Sequence, residues 1–360
     1  MSMNNITIKS NIRNYDVSFD VNENFIDEII KENKNNIVII DENVYKCHSK
    51  NALSVFENLN VIILPISEEV KNINTVLELF DKIIKKMPNK KTTIISIGGG
   101  ITQDITGFLA STLFRGVKWV YVPTTLLAQD DSCIGAKTSL NFKQYKNLIG
   151  TFYPPTSVHI YTPFLKTLED VDYLSGVGES AKLHMMGGKE SINFFVDNID
   201  AINGRDENVL LDMIKKCLAI KKAYIEDDEF DQGKRNMLNF GHCFGHAIES
   251  ATDFVVPHGQ AVAIGIILAN YAAVKRGILN TELANSFNNK VLLPVIDKNL
   301  LKVKIDSQEV ISAMKRDKKR VTKDFALVMI DNNYEMVRID DLKETEIVDA
   351  LEDYKNKYSN

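Results

Sequence analysis

Thr93, Ile94, Ile95, Ser96 and Ile97 run without a break into Gly98, Gly99 and Gly100, and an apolar pattern of helical period follows over residues 101–112. A short β-branched run closed by glycine predicts a buried parallel strand turning directly into a helix. That junction constrains the chain strongly, because strand, glycine turn and helix is the building unit of doubly wound sheets. It also brings backbone N–H groups to where a pyrophosphate can meet them. The spacing is not Gly-x-Gly-x-x-Gly, so a tight turn without a ligand fits it as well.

The neighbouring stretches repeat the unit. Residues 37–40, 61–64 and 119–122 are short apolar runs, and residues 74–87 alternate apolar and charged positions at helical spacing. Ile6 and Ile8 alternate with polar residues, which predicts one or two strands in residues 1–20. Strands alternating with helices predict an α/β fold with a doubly wound parallel sheet over residues 1–155. Asp41 closes one strand, where such folds place ligands, and a helix N-cap accounts for it equally well. Thr124 and Thr125 close another with two hydroxyls. Pro154 and Pro155 then interrupt the pattern. From about residue 164 the period is mostly helical, as in 208–225 and 261–274, with a late strand at 325–330 and a last helix at 344–354. A mainly α-helical second domain over residues 156–360 is expected, since 360 residues are long for one core. The cleft between the halves is the expected place for a site.

A net charge of -5 with interspersed signs argues against nucleic acid as a partner. No apolar run has membrane-spanning length, and the N-terminus lacks the build of a signal peptide. Cys47, Cys133, Cys217 and Cys243 form no Cys-x-x-Cys pair, which predicts free thiols in a reducing, cytoplasmic setting.

Chemistry concentrates around the histidines. Three of the six, His242, His246 and His258, fall close together in the sequence. A helix over 235–249 would put His242 and His246 on one face, with His258 at a turn-like break before Gly259. Imidazole is a common metal ligand, and the missing Glu after His242 argues against a zinc protease. Cys243 faces another way and reads as a packing residue. Glu179 and Lys182 are three apart on a helical face; Glu179 offers an oxygen to a Glu/His/His metal site, and a surface ion pair is the alternative. Residues 130–147 carry Asp131, Lys137, Lys146 and Asn147 in what reads as a loop able to hold an anion. Arg235 leads into the histidines after Lys221, Lys222 and an acidic run. Lys318 and Lys319 lie in a basic cluster. The inventory reaches as far as metal- and NAD-dependent oxidation of a phosphorylated or carboxylated polyol.

These residues, in this order, resemble the 3-dehydroquinate synthase family, part of the sugar phosphate cyclases. The resemblance rests on Gly98–Gly100 with Asp104 and Gly107-Phe108; Arg115-Gly116; residues 122–128; Asp131-Ser132 with Gly135–Thr138; Lys146-Asn147; Glu179 with Lys182; Asp228-Glu229 with Gly233 and Arg235; residues 238–242 with Gly245-His246; His258-Gly259; and Asp317–Lys319. It implies conversion of 3-deoxy-D-arabino-heptulosonate 7-phosphate to 3-dehydroquinate and phosphate in the shikimate pathway, with NAD recycled and zinc or cobalt bound. By position it implies Glu179, His242 and His258 as metal ligands. It implies Asp131, Lys137, Lys182, Asn239 and His246 around the reacting ring. Arg115, Lys146, Asn147, Arg235, Lys318, Lys319 and one of Lys221 and Lys222 would hold the phosphate and carboxylate. Asp41, Asn43, Glu68, Lys71, Gly98, Gly99, Gly100, Asp104, Thr124 and Thr125 would meet NAD. A homodimer is implied too. Several positions depart from the family: Gln103 and Ala136 each replace a usual Gly, Pro154 a common Gln, Asp231 a usual Glu, and residues 183–188 a Tyr-Gly run. Cyclases of sedoheptulose 7-phosphate or related sugars are the alternative, and a metal-dependent polyol dehydrogenase is a more distant one.

Overall fold

The computed structural model describes residues 5–56, 61–143, 145–316 and 324–358. These group into two compact units: residues 1–168 with 225–230, and residues 169–224 with 231–360.

The first unit holds one sheet of seven strands: β1 (Ile6–Ile8), β2 (Tyr15–Phe19), β3 (Asn36–Asp41), β4 (Ile62–Leu64), β5 (Thr93–Gly98), β6 (Lys118–Pro123) and β9 (Ser157–Ile160). Their order is β1-β2-β9-β6-β5-β3-β4, parallel except for the β1–β2 pair. The middle strands read as unbroken apolar runs because both faces are covered. Val38, Ile40, Ile95, Ile97, Val120 and Val122 pack with Phe25, Ile26 and Leu53 in one buried cluster. Each such side chain contributes about 1.5–3 kcal/mol by leaving water. The unit continues past Pro154 and Pro155, because β9 follows them and pairs with β2 and β6. Its helices are α1 (Phe25–Glu32), α2 (Glu42–His48), α3 (Ile73–Ile84) and α4 (Gly100–Thr112).

The segment 130–147, expected as a loop, is instead a one-turn π-helix (Ala128–Ser132) and a hairpin of β7 (Lys137–Phe142) and β8 (Tyr145–Phe152). Thr138 and Leu140 point inward and their neighbours outward, and β8 is largely exposed, so the period is visible on one short strand only.

The second unit is helical: α5 (Asp170–Met186), α6 (Gly188–Asp197), α7 (Ile199–Asn203), α8 (Glu207–Asp227), α9 (His242–Ala251), α10 (His258–Lys275), α11 (Thr281–Phe287), α12 (Ser307–Arg316) and α13 (Glu344–Tyr358), with the last residues of α8 grouping with the first unit. The late strand, β10 (Phe325–Ile330), pairs antiparallel with β11 (Met336–Leu342). No helix among the described residues is long and apolar enough to cross a membrane.

The helix expected over 235–249 begins only at His242. A 3-10 turn (Lys234–Asn239) precedes it, and Gly241 at φ 76 separates the two, a left-handed conformation that favours glycine. His258 is no turn residue: it opens α10, capped by the extended Pro257.

Candidate active site

In the second unit three helices deliver the metal-ligand candidates: α5 carries Glu179 and Lys182, α9 starts with His242, and α10 starts with His258. Two glycines let α5 and α10 touch backbone to backbone. A Cβ on Gly259 would lie 1.7 Å from the Ser175 carbonyl oxygen, and one on Gly178 would lie 2.2 Å from that of Gly259. The Gly259 N–H donates to Ser175 Oγ at 2.9 Å. This contact fixes His258 beside the Glu179 turn of α5.

Glu179 Oε1 is 3.3 Å from His258 Nε2 and 3.6 Å from His242 Nε2, and Oε2 is 2.5 Å from Lys182 Nζ. The expected Glu179–Lys182 pair therefore exists, but it is buried rather than on the surface. Each histidine has its other nitrogen engaged. His242 Nδ1 donates to the Phe240 carbonyl at 3.1 Å, and His258 Nδ1 lies 3.0 Å from Glu249 Oε2. A carbonyl and a carboxylate only accept, so these partners assign the protons to Nδ1 and leave Nε2 facing Glu179. His246 stands one turn along α9 and is exposed. Its ring lies 5.2 Å from that of His242 and 5.6 Å from that of His258. One nitrogen from each of His242, His246 and His258 falls within 4.8 Å of the others. The geometry thus presents four donors, His246 in addition to the three expected.

The donor set fits a divalent cation. Both oxygens of Glu179 are buried without a well-formed hydrogen bond. Burial alone would keep its carboxyl protonated, but Lys182, His242 and His258 outweigh burial and hold it well below the usual carboxylate range. Burial holds His242 well below the ordinary imidazole value, against the pull of Glu179. Burial opposes protonation of His258 too, yet the adjacent carboxylates of Glu179 and Glu249 raise it to about 10. An imidazole between two carboxylates is a place for a cation. Two imidazoles oriented through Nδ1 and one carboxylate are a zinc-type set, with Glu249 as the outer support that sequence reasoning missed. Its signal was present: Glu249 lies two turns beyond His242 on the same helix.

Arg235 is buried in the 3-10 turn before α9, and Asn239 ends that turn with its Nδ2 donating to the Asn236 carbonyl at 3.0 Å. On α8, Lys221 lies on the buried stripe with Cys217 and Ile225, whereas Lys222 is half-buried. Lys318 and Lys319 lie outside the described residues.

In the first unit the glycine turn joins β5 to α4. A Cβ on Gly98 would lie 2.4 Å from Thr102 Oγ1, and one on Gly99 would lie 2.9 Å from Thr125 Cγ2. No side chain caps α4 and its first turn has no acid. The buried hydroxyls Thr102 Oγ1 and Thr124 Oγ1 have no hydrogen-bond partner among the described residues. Open N–H groups, a bare backbone and two unsatisfied hydroxyls fit a pyrophosphate. One turn on, Lys71 Nζ lies 2.5 Å from Asp104 Oδ2 and 2.7 Å from Asn147 Oδ1. Ser139 Oγ joins them, 3.0 Å from Asp104 and 2.8 Å from Asn147. Burial raises the Asp104 carboxyl above its ordinary value even against Lys71 and Ser139. Ser139 was missed in the sequence because its hairpin was.

Other expected residues are more scattered. Asp41 is the N-cap of α2, accepting from the Asn43 and Val44 amides at 2.8 and 3.3 Å, and Asn43 is exposed. Glu68 accepts from Asn141 Nδ2 at 2.7 Å and lies 4.0 Å from Lys146 Nζ. Asp131 is half-buried in the π-turn, and Lys137 is exposed at the start of β7. Arg115, at φ 67, precedes the Lys118 end of β6, whereas Gly98 pairs with Pro123 at the other end. Arg115 therefore lies at the opposite end of these strands from the glycine turn.

Residues 61–175 match the N-terminal 3-dehydroquinate synthase family and residues 176–320 the C-terminal one. The chain belongs to the 3-dehydroquinate synthase family. It is 37% identical over 305 residues to the 3-dehydroquinate synthase of Dictyoglomus turgidum, covering 84% of this chain and 85% of that one. Identity to the 3-dehydroquinate synthase of Buchnera aphidicola subsp. Cinara cedri is 34% over 358 residues, 96% of each chain. Among solved structures, a 2-deoxy-scyllo-inosose synthase complexed with carbaglucose-6-phosphate, NAD+ and Co2+ shares the fold. Its TM-score is 0.87 at 24% identity, covering 97% of this chain and 100% of that one.

Proposed function

We propose that this chain is a 3-dehydroquinate synthase, an NAD- and metal-dependent lyase that converts 3-deoxy-D-arabino-heptulosonate 7-phosphate to 3-dehydroquinate and phosphate. The observation that carries the proposal is the buried Glu179 facing His242 and His258, in a chain whose family performs this chemistry. When bound, the divalent ion supplies Lewis acidity to a substrate hydroxyl, and NAD supplies a hydride acceptor that is restored by the end of the cycle. Glu179, His242 and His258 hold the ion, and His246 lies beside them. Gly98, Gly99 and Gly100 with Asp41, Asn43, Glu68, Lys71, Asp104, Thr124 and Thr125 hold the cofactor.

The chain's own residues do the rest. Lys182 is held by Glu179, so its ammonium is pre-positioned for a ring hydroxyl. Asp131 accepts a hydrogen bond from the hydroxyl that is oxidised. Lys137, Asn239 and His246 orient the ring and its carboxylate. Arg115, Lys146, Asn147, Lys221 or Lys222, Arg235, Lys318 and Lys319 gather the phosphate, and clustered cations favour its departure by stabilising the charge that develops on it. Between the two lysines of α8, burial favours Lys221. The family also points to a homodimer working in the cytoplasm.

The test is turnover of purified protein with NAD and zinc or cobalt, measuring phosphate, dehydroquinate and net NADH together. Equal phosphate and dehydroquinate with no net NADH is expected. Net NADH without phosphate would turn the assignment to a polyol dehydrogenase, and phosphate release only from sedoheptulose 7-phosphate would turn it to another cyclase.

A further inference from the structure

Gln103 stands where the family usually has glycine, on the first turn of α4, and its side chain is buried. Its Nε2 donates to the Ser132 carbonyl at 2.7 Å, and its Oε1 accepts from Ser132 Oγ at 2.7 Å. The carbonyl can only accept, which fixes the orientation of the amide. The clasp therefore closes a ring between α4, which starts at the glycine turn, and the π-turn Ala128–Ser132, which carries Asp131. Beyond the bonds within the π-turn itself, its start is tied by Gln129 N to Thr125 O at 3.0 Å and its exit by Cys133 N to Ala128 O at 3.0 Å and a long Ile134 N to Asp131 O at 3.5 Å. Gln129 Nε2 anchors the near end to the Pro123 and Tyr161 carbonyls at 3.1 and 3.2 Å. Gln103 anchors the far end, next to Asp131.

We propose that Gln103 is a positioning residue for Asp131, a clasp that holds the π-turn in register with the cofactor turn. This rests on the function proposed above, in which Asp131 meets the reacting hydroxyl. An amide is required, because a carboxylate could not donate to the Ser132 carbonyl and an alanine would leave that carbonyl without its side-chain donor.

The experiment compares wild type with Gln103→Ala, Gln103→Glu, Ser132→Ala, Asp131→Asn and the Gln103→Ala/Asp131→Asn pair. Amide hydrogen exchange of residues 128–135 is followed beside turnover and NAD binding. Exchange in that segment should rise at least about ten-fold in Gln103→Ala and more in Gln103→Glu, with the rest of the sheet unchanged. kcat should fall about ten-fold or more in Gln103→Ala, with KM and the Kd for NAD within about three-fold, because a small misplacement weakens the chemical step more than binding. Ser132→Ala keeps one of the two bonds and should lose less. In the double variant the Gln103→Ala loss should vanish against Asp131→Asn, since residues acting through one contact are not additive. Unchanged exchange would overturn the clasp. A kcat loss that multiplies fully with Asp131→Asn, or one matched by an equal loss of NAD affinity, would overturn the link to Asp131. The exchange arm does not depend on the substrate, so a raised exchange in a protein that releases no phosphate would defeat the proposed function and leave the clasp standing.

Discussion

The metal centre and the cofactor region are built under different tolerances. In the helical unit the candidate ligands sit on helices whose backbones touch at glycines, and a single Cβ has nowhere to go. In the sheet unit the corresponding residues lie on a turn, a π-helix and a hairpin tied by side-chain hydrogen bonds. The departures Gln103 and Ala136 fall in the second kind of region, whereas Asp231 and residues 183–188 fall in the helical unit. Backbone contact fixes a site with few permitted residues, whereas side-chain ties let one residue replace another if a new bond or a tolerable strain goes with it.

Gly259→Ala should break the tight region most. Its Cβ would meet the Ser175 carbonyl at 1.7 Å, so the helices must part. Destabilisation above about 4 kcal/mol and loss of bound zinc are expected, measured by denaturant unfolding and metal analysis. An alanine variant that keeps both would show the crossing to be loose. Next is Gln260→Glu. The Gln260 amide donates to the Leu174 and Val295 carbonyls, both at 2.8 Å, and accepts from the Asp297 amide at 2.8 Å. Glutamate can make only the last of these, so a loss of about 3 kcal/mol is expected in the same assay.

His184 contributes to the pH dependence of the helical unit. Burial lowers its imidazole to about 4, with the Ser191 carbonyl pulling the other way. The unfolded chain takes up this proton near pH 6.5 and the folded chain only near 4. Stability is therefore intact above about 6.5 and falls as pH drops toward 4, by up to about 3 kcal/mol. Denaturation curves between pH 7.5 and 4.5 should show that slope in the wild type and a shallower one in His184→Phe. Equal slopes would take His184 out of the acid limb.

The smallest effect lies in the sheet unit. Ala136 sits at φ 62, a conformation costly for any residue with a Cβ. Ala136→Gly should raise stability by about 0.5–1 kcal/mol, after the greater freedom of glycine in the unfolded chain is set against the relieved strain. A loss instead would mean that the strain is already relaxed.

The sequence made legible what has a period. The runs at 37–40, 93–98 and 119–122 are central strands, the run at 61–64 holds the edge strand β4, and α3, α4, α8 and α10 follow their apolar spacing. It hid what depends on a single residue or a distant partner. Gly241 resets the chain before His242, and no helical count reveals that. β7 and β8 were obscured because their outward faces carry lysine and asparagine. The N-cap role of Asp41 was one of two open alternatives, and it is visible only from where the Asn43 and Val44 amides point. The histidines and Glu179 were legible as candidate ligands by type. Glu249 and Ser139 act through partners that only folding brings near.

The most direct test of the metal centre is X-ray absorption at the zinc edge on zinc-loaded wild-type protein, with His258→Ala beside it. The wild type should hold one zinc per chain in a shell of nitrogen and oxygen with imidazole scattering and no sulfur, and the variant should lose the metal while staying folded. A sulfur neighbour, for which Cys243 beside His242 is the candidate, or full zinc occupancy in the variant, would contradict a centre built from Glu179, His242 and His258.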